Sequence, residues 1–248
     1  METSYNITLV GLSFIISVLG SYTALQMAIG IPASSGKNFW LWLIGAAFSL
    51  GGGGIWAMHF IAMLAYQMPM EVAYDTGLTL LSLAIATFVV GLGFLLVGRS
   101  NGSGIMLLSA GSITGLGVAS MHYLGMEAMR MPGLIEYNQT LVGVSIAIAI
   151  VASIVALWLA FNLRGHWQRI GSAVVMGMAV CGMHYTGMAA ATVVPTEDSA
   201  QLAVKSALSP EGLATVIFGT VVVFLLGLLL GTKKQFKVAQ AYTYRALE

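Results

Sequence analysis

Seven long apolar stretches, none with an ionisable residue at its centre, dominate this sequence of 248 residues. A helix needs roughly 20 mostly apolar residues to cross a bilayer, and each stretch meets that requirement. The sequence therefore predicts an all-α polytopic membrane protein with seven transmembrane helices. The predicted spans are residues 7–29, 41–66, 77–97, 104–128, 140–162, 169–191 and 212–231.

Composition supports this fold class and excludes others. Hydrophobic residues make up 58% of the chain and charged residues only 8%, about a third of the charged fraction usual in soluble domains. The net charge of +1 offers no basic stripe for neutralising phosphates, so nucleic acid is not an expected partner. The single cysteine, Cys181, excludes an internal disulfide.

The basic residues predict the orientation, because short loops rich in Lys and Arg stay in the cytoplasm. Only Arg130 and Lys205 fall on one side of the predicted topology. The N-terminus is therefore expected outside and the C-terminus in the cytoplasm. The basic residues on the cytoplasmic side are Lys37, Arg99, Arg164, Arg169, Lys233, Lys234, Lys237 and Arg245.

A repeat surrounds the three histidines of the predicted helices, His59, His122 and His184. Residues 52–63 read GGGIWAMHFIAM, residues 115–126 read GLGVASMHYLGM, and residues 177–188 read GMAVCGMHYTGM. The histidines are 63 and 62 residues apart, which is the length of two helices and their loops. We therefore predict three helical hairpins followed by a seventh helix, with all three motifs in the outer half of the membrane.

Each histidine shares a helix face with a methionine four residues later, because residues four apart lie one turn above each other. Each motif thus offers an imidazole and thioethers together. The candidate metal ligands are His59, Met63, His122, Met126, His184 and Met188, with Met58, Met121 and Met183 directly before the histidines.

Small residues flank the histidines on nearly the same face, and they let membrane helices approach closely. Such an approach would bring the three imidazoles towards a common point. The glycines seven residues before are Gly52, Gly115 and Gly177, and the small residues three after are Ala62, Gly125 and Gly187.

These ligand types favour copper. Imidazole suits several transition metals, whereas a thioether selects soft ions, above all Cu(I). The ligands are neutral, and a monovalent ion costs less to hold at low dielectric than a divalent one. Zinc is less attractive, because the thiolate and carboxylate ligands that it often uses are almost absent here.

Two other interpretations remain open. A neutral histidine could hydrogen-bond a backbone carbonyl of the next helix, although the Met-His pair persists in all three copies while much of the remaining sequence differs. A haem would need only two of the three histidines and would leave the methionines unexplained.

The motifs Met58-His59-Phe60, Met121-His122-Tyr123 and Met183-His184-Tyr185-Thr186 resemble the motif of the bacterial MHYT-domain membrane sensors. The resemblance covers essentially the whole chain. It implies copper binding, a diatomic gas ligand (O2, NO or CO) and a place in the bacterial inner membrane. It also implies a sensor domain over residues 1–231, no enzyme activity in this chain, and a connector over residues 232–248 to an absent cytoplasmic output domain, often a cyclic-di-GMP synthase or phosphodiesterase.

The sequence therefore predicts a sensory input domain with the lipid bilayer, a gas and an output domain as its partners. The alternative is a copper transporter or copper-handling membrane protein. A transporter would be expected to carry polar groups through the full membrane depth, whereas the inner halves of helices two, four and six are apolar and glycine-rich. The sequence leaves the oligomeric state open, a homodimer included.

Overall fold

The computed structural model describes residues 4–100, 103–163, 165–196 and 207–245, with side chains described through residue 227. Seven helices within these residues are long and apolar enough to cross a membrane, which confirms the predicted all-α polytopic fold. They are α1 Ile7–Ala28, α2 Gly36–Ala65, α3 Thr76–Gly98, α4 Gly104–Glu127, α5 Gln139–Asn162, α6 His166–Ala190 and α7 Pro210–Arg245.

The largest differences from the predicted boundaries concern α2 and α7. Helix α2 begins at Gly36 rather than residue 41, and α7 continues to Arg245 rather than ending at residue 231. Hydropathy marks where the hydrocarbon ends, whereas a helix continues for as long as its backbone hydrogen bonds do. Residues 232–245 of the predicted connector thus extend the last helix.

The predicted orientation stays a prediction. Arg164 and Lys205, which contributed to it, lie outside the described residues, as do residues 246–248 of the predicted connector. The side chains of the basic residues in the last part of α7 also lie outside the described set.

Short antiparallel strands close each helical hairpin at one end of the bundle, which we name the strand end. The strand before each odd-numbered helix pairs with the strand after the following even-numbered helix, and β7 adds to the second pair. The strands are β1 Ser4–Tyr5, β2 Tyr66–Gln67, β3 Ala73–Asp75, β4 Met129–Arg130, β5 Gly133–Tyr137, β6 Ala191–Pro195 and β7 Ala207–Leu208.

An Asn or Asp side chain caps the first helix of each hairpin. Asn6, Asp75 and Asn138 each accept a hydrogen bond from the backbone N–H three residues later, which satisfies one of the free N–H groups at a helix start. The backbone N–H of each cap also donates, at 2.8 Å, to a carbonyl at the end of the partner helix. Those carbonyls belong to Ala65, Ala128 and Ala190.

The first six helices form a closed ring. Each packs against the next along the chain, and α6 packs against α1. The histidine-bearing parts of α2, α4 and α6 also contact one another in the middle. Helix α7 lies outside this ring and packs mainly on α1 and α2.

The middle of α2, Phe48–Ala57, is wound as a π-helix, a rare geometry that is frequent at functional sites. It contains four consecutive glycines, residues 51–54, all buried. A Cβ atom at Gly51 would lie 2.6 Å from the carbonyl oxygen of Ala86, and one at Gly20 of α1 would overlap the backbone of Gly54. The glycines therefore let α1 and α3 contact the π segment backbone to backbone.

The glycines seven residues before the histidines do permit close approach, as predicted, but each faces the odd-numbered helix of the next hairpin. A Cβ atom at Gly177 would lie 2.7 Å from the side chain of Val18 on α1, and one at Gly115 would overlap the backbone of Ile150 on α5. At Gly52 the nearest side chain of another helix is Leu83, on α3.

We expect Asp75→Asn to lower the stability of the protein at neutral pH and to remove part of its pH dependence. The N–H of Leu78 and the guanidinium of Arg130, 3.1 Å away, lower the pKa of the Asp75 carboxyl. A lowered pKa in the folded state means that this stabilisation is complete above the carboxyl's unfolded pKa and is lost as the pH falls through the folded value. Asn at this position can still cap the helix, so the variant loses only the partly exposed ion pair with Arg130, a cost of about 0.2–1 kcal/mol. Thermal unfolding in detergent at several pH values measures this loss.

The matched control for this variant is Glu136→Gln, which changes an exposed acid on β5, in another sheet. A decline of stability in acid that is equally steep in wild type and Asp75→Asn would contradict the prediction.

Candidate metal centre

Three buried imidazoles meet where α2, α4 and α6 contact one another. His59, His122 and His184 are at most 1% exposed. The Nδ1 atom of His59 lies 3.0 Å from Nδ1 of His184 and 3.1 Å from Nδ1 of His122. One ligand atom from each ring lies within 4.8 Å of the others. The structure thus brings the three predicted histidine ligands together.

The converging Nδ1 atoms need a proton or a cation among them, because two unprotonated ring nitrogens at this distance would oppose their lone pairs. The Nε2 atoms point away from this centre and, among the described residues, have no hydrogen-bond partner. A buried polar atom without a partner costs about 1–3 kcal/mol. Three such atoms argue against histidines that serve only to hydrogen-bond the next helix.

Glycines of the neighbouring hairpin hold the outer edges of two imidazoles. A Cβ atom at Gly125 would overlap Nε2 of His59, and one at Gly187 would overlap Nε2 of His122. The histidine and its glycine belong to successive hairpins in both cases. The residue at the corresponding position of the first hairpin is Ala62. Steric contact with the glycine backbone therefore positions these two rings. In many metal sites a hydrogen bond to the second ring nitrogen has this role instead.

The aromatic residue after each histidine packs edge-on against a tyrosine of the next hairpin, and the third contact returns to the first hairpin. Such edge-to-face pairs contribute about 0.5–1.5 kcal/mol each beyond the area they bury. They close the arrangement around a pseudo-threefold axis. The pairs are Phe60 with Tyr74 at 6.1 Å, Tyr123 with Tyr137 at 5.6 Å and Tyr185 with Tyr5 at 5.8 Å between ring centres.

The first copy of the motif compensates for its missing tyrosine hydroxyl. The hydroxyl of Tyr123 lies 2.6 Å from that of Ser145 on the next hairpin. Phe60 has no such group, and instead the indole N–H of Trp56 donates to the hydroxyl of Ser82 at 3.0 Å. One polar contact between successive hairpins is thus kept by a different residue.

The six predicted methionine ligands lie on the same three helices and are buried, with exposures of 1–5%. The cluster of ligand atoms defined above consists of ring nitrogens of the three histidines. Participation of the thioethers stays a prediction, supported by their burial and by their helical spacing from the histidines. These methionines are Met58, Met63, Met121, Met126, Met183 and Met188.

The residues that close the hairpins were not predicted from the sequence. The three capping residues Asn6, Asp75 and Asn138 each follow a tyrosine directly. That Tyr-Asn or Tyr-Asp pair, repeated before α1, α3 and α5, was the signal that could have revealed them.

We expect Gly125→Ala to displace the His59 imidazole, because the added methyl group would occupy the space of Nε2. The side-chain ¹⁵N NMR signals of His59 should shift, and overpacking should cost about 1–3 kcal/mol of stability. The control is Gly182→Ala on α6, where a Cβ atom would meet nothing within 4 Å. Unchanged histidine signals in Gly125→Ala would show that the glycine does not position the ring.

The family model for the MHYT domain, described as a bacterial signalling protein N-terminal repeat, matches three successive segments of the chain. The segments are residues 52–110, 115–173 and 177–243. Each of them begins within one of the histidine-bearing helices. No solved structure matches the chain.

Three curated relatives are similar to the chain. A bifunctional diguanylate cyclase/cyclic di-GMP phosphodiesterase, MucR of Pseudomonas aeruginosa, is 47% identical over 195 residues, which cover 76% of this chain and 28% of the relative. The cyclic di-GMP phosphodiesterase NbdA of the same species is 38% identical over 194 residues, 75% of this chain and 24% of the relative. The signaling protein YkoW of Bacillus subtilis is 37% identical over 201 residues, 77% of this chain and 25% of the relative.

The chain spans about a quarter of the length of these relatives. The similarity therefore concerns the membrane domain, where the three family matches and the three imidazoles coincide. By its repeats and its relatives, the chain belongs to the MHYT family of bacterial signalling proteins.

Proposed function

We propose that this chain is a membrane sensory input domain in which His59, His122 and His184 hold a copper ion. In this proposal a diatomic gas is the signal, and a cytoplasmic output module receives it. The observation that carries the proposal is the convergence of three buried imidazole nitrogens, with the Nδ1 atoms of successive pairs 3.0 and 3.1 Å apart.

The residues around this point fit Cu(I). Three neutral nitrogen donors converge in a buried setting, and no carboxylate or thiolate belongs to the cluster in the part of the chain that the structure describes. Imidazole and thioether together select a soft ion. A single positive charge is also the least costly metal charge to bury among neutral groups.

Copper, when bound, supplies an electron-rich centre with affinity for diatomic gases. The protein's own residues determine its surroundings. The imidazoles present their nitrogens from three helices, the glycines Gly125 and Gly187 hold two of the rings in place, and the packed core excludes water. A change in the distances between the imidazoles would displace α2, α4 and α6 together, because each of these helices carries one imidazole.

The contact between α2 and α7 supports a route from the imidazoles to the end of the chain. Phe224 of α7 is 1% exposed and packs against the π segment, where a Cβ atom at Gly53 would lie 2.6 Å from its ring. The π segment ends directly before Met58-His59. A signal of this kind requires two helix arrangements with different ligand affinity.

The names of the relatives indicate what receives the signal. MucR and NbdA are named as enzymes of cyclic di-GMP turnover, so we propose that this domain regulates an output module of that class. The excess of basic residues on one side of the topology supports an outer N-terminus and a cytoplasmic α7 end in the bacterial inner membrane. The three imidazoles would then lie in its outer half.

The surroundings of the imidazoles favour sensing over copper transport. A transport path needs polar groups on both sides of the binding site. On the side away from the strand end, the interior is lined mainly by apolar residues such as Leu50, Ile55 and Val90, and its polar side chains among the described residues are Thr114 and Ser153.

Elemental analysis of the purified protein after anaerobic loading with Cu(I) tests the site. We expect about one copper ion per chain, lost when His59, His122 and His184 are all changed to alanine. His166→Ala is the control, since the ring of His166 at the start of α6 packs with Tyr22 and Trp167. Copper retained in the triple variant, or absent from a folded wild type, would refute the proposal.

We expect Phe224→Ala to uncouple α7 from the copper site. Spin labels on α4 and α7, attached through Ile105→Cys and Leu226→Cys in a Cys181→Ala background, report the distance between the two helices. Cu(I) loading or gas binding should change that distance in the parent protein and much less in Phe224→Ala. Phe218→Ala is the control on the same helix, because Phe218 is 69% exposed; equal distance changes in both variants would contradict this route.

A further inference from the structure

An apolar cavity of about 40 Å³ lies inside the helix ring, beside the three imidazoles on the side away from the strand end. Its wall includes Ile55, Val118 and Val180, each four residues before one of the three histidines. Residues four apart share a helix face, so the cavity lies one turn beneath the imidazoles, on the order of 6 Å along the helix axes.

The lining favours an apolar occupant over water. The cavity is larger than the roughly 10–15 Å³ that one water-sized molecule needs. In the described part of the chain its polar lining groups are the side chains of Thr114 and Ser153, and its lining has no charged residue. The hydroxyl of Thr114 already donates to the carbonyl of Val89 at 3.3 Å. A buried water molecule usually makes about three hydrogen bonds and at least two, so these two hydroxyls offer only the minimum, and the rest of the lining side chains offer none.

The cavity also reaches the surface that faces the lipid. Ala152 and Ala156 of α5 and Ala179 of α6 line it, and all three are partly exposed. Their methyl groups leave an opening between the two helices. Apolar gases dissolve better in hydrocarbon than in water, so the bilayer can supply them through this opening. At the other end, Met183 lines the cavity directly before His184.

We propose that this cavity binds a small apolar gas molecule, received from the bilayer between α5 and α6 and held one helical turn beneath the imidazoles. The identity of the physiological gas rests on the proposed function, because that gas is the signal of the sensor. Binding itself needs only the apolar wall and therefore does not require a metal.

Xenon is a suitable probe, since it binds dry apolar cavities in proteins and does not react with copper or imidazole. The protein is labelled with ¹³C at the methionine methyl groups and titrated with xenon pressure, without added metal. Met176 and Met183 line the cavity, and their NMR signals should shift and then saturate. The internal control is Met178 on the same helix, which is 53% exposed and should shift only linearly with dissolved xenon.

Ala152→Phe fills the cavity from its wall and should abolish the saturable shifts. Its matched control is Ala147→Phe, which places the same side chain at an exposed position of α5 and should keep them. Ala156→Leu is a smaller filling change, to be used if Ala152→Phe does not fold. Absence of saturable shifts in the wild type, or their persistence in a folded filled variant, would overturn the proposal.

Copper loading of the same samples separates this proposal from the proposed function. Ala152→Phe changes no histidine or methionine, so its copper content should equal that of wild type. Xenon binding without any copper binding would support the cavity and refute the copper site. Copper binding without xenon binding would refute the cavity alone.

Discussion

Close approach of three helices is the constraint on which the rest of this structure depends. Three imidazoles meet in a dry interior only if α2, α4 and α6 come nearer to their neighbours than ordinary side chains allow. Glycine makes this approach sterically feasible: at Gly125 and Gly187 a methyl group would overlap a neighbouring imidazole. The capping residues and strand pairs then fix the ends of each hairpin, so that the three histidines lie at the same depth.

The contacts around the imidazoles run from each hairpin to the next and return to the first, which explains why the motif occurs three times. Helix α7 breaks this pseudo-threefold order by packing on one side only, against α1 and α2. The first hairpin is also the copy that departs most from the motif, with Phe60, Ala62 and the π segment of α2. The last of the seven helices thus packs on the irregular copy.

The burial and low polarity of the interior support both proposals. Neutral ligands in a buried apolar core favour an ion of low charge, and an apolar cavity beneath them favours a ligand that prefers lipid to water. Polar groups are few along the α5 and α6 side of that cavity. The copper site and the gas cavity would then be parts of one core, separated by a single helical turn.

The sequence by itself determined the fold class, the seven spans, the triple repeat and the candidate ligands, because hydropathy and spacing are local properties. Five of the seven spans agree with the structure within three residues at each end. The sequence predicted that Gly125 and Gly187 allow close approach between helices. Only the structure shows that each glycine contacts an imidazole of the preceding hairpin. Likewise, the sequence repeat shows that His59, His122 and His184 occupy corresponding positions, but it does not show that they lie next to one another.

Only the tertiary structure decided that α2, α4 and α6 meet in the centre, that α7 lies outside the ring, and that a cavity lies one turn beneath the histidines. The physical reason is that these features depend on which helix faces which. A periodic apolar pattern predicts a helix and its buried face, whereas the partner of each face depends on side-chain packing between distant segments, such as His59 and His184, which are 125 residues apart.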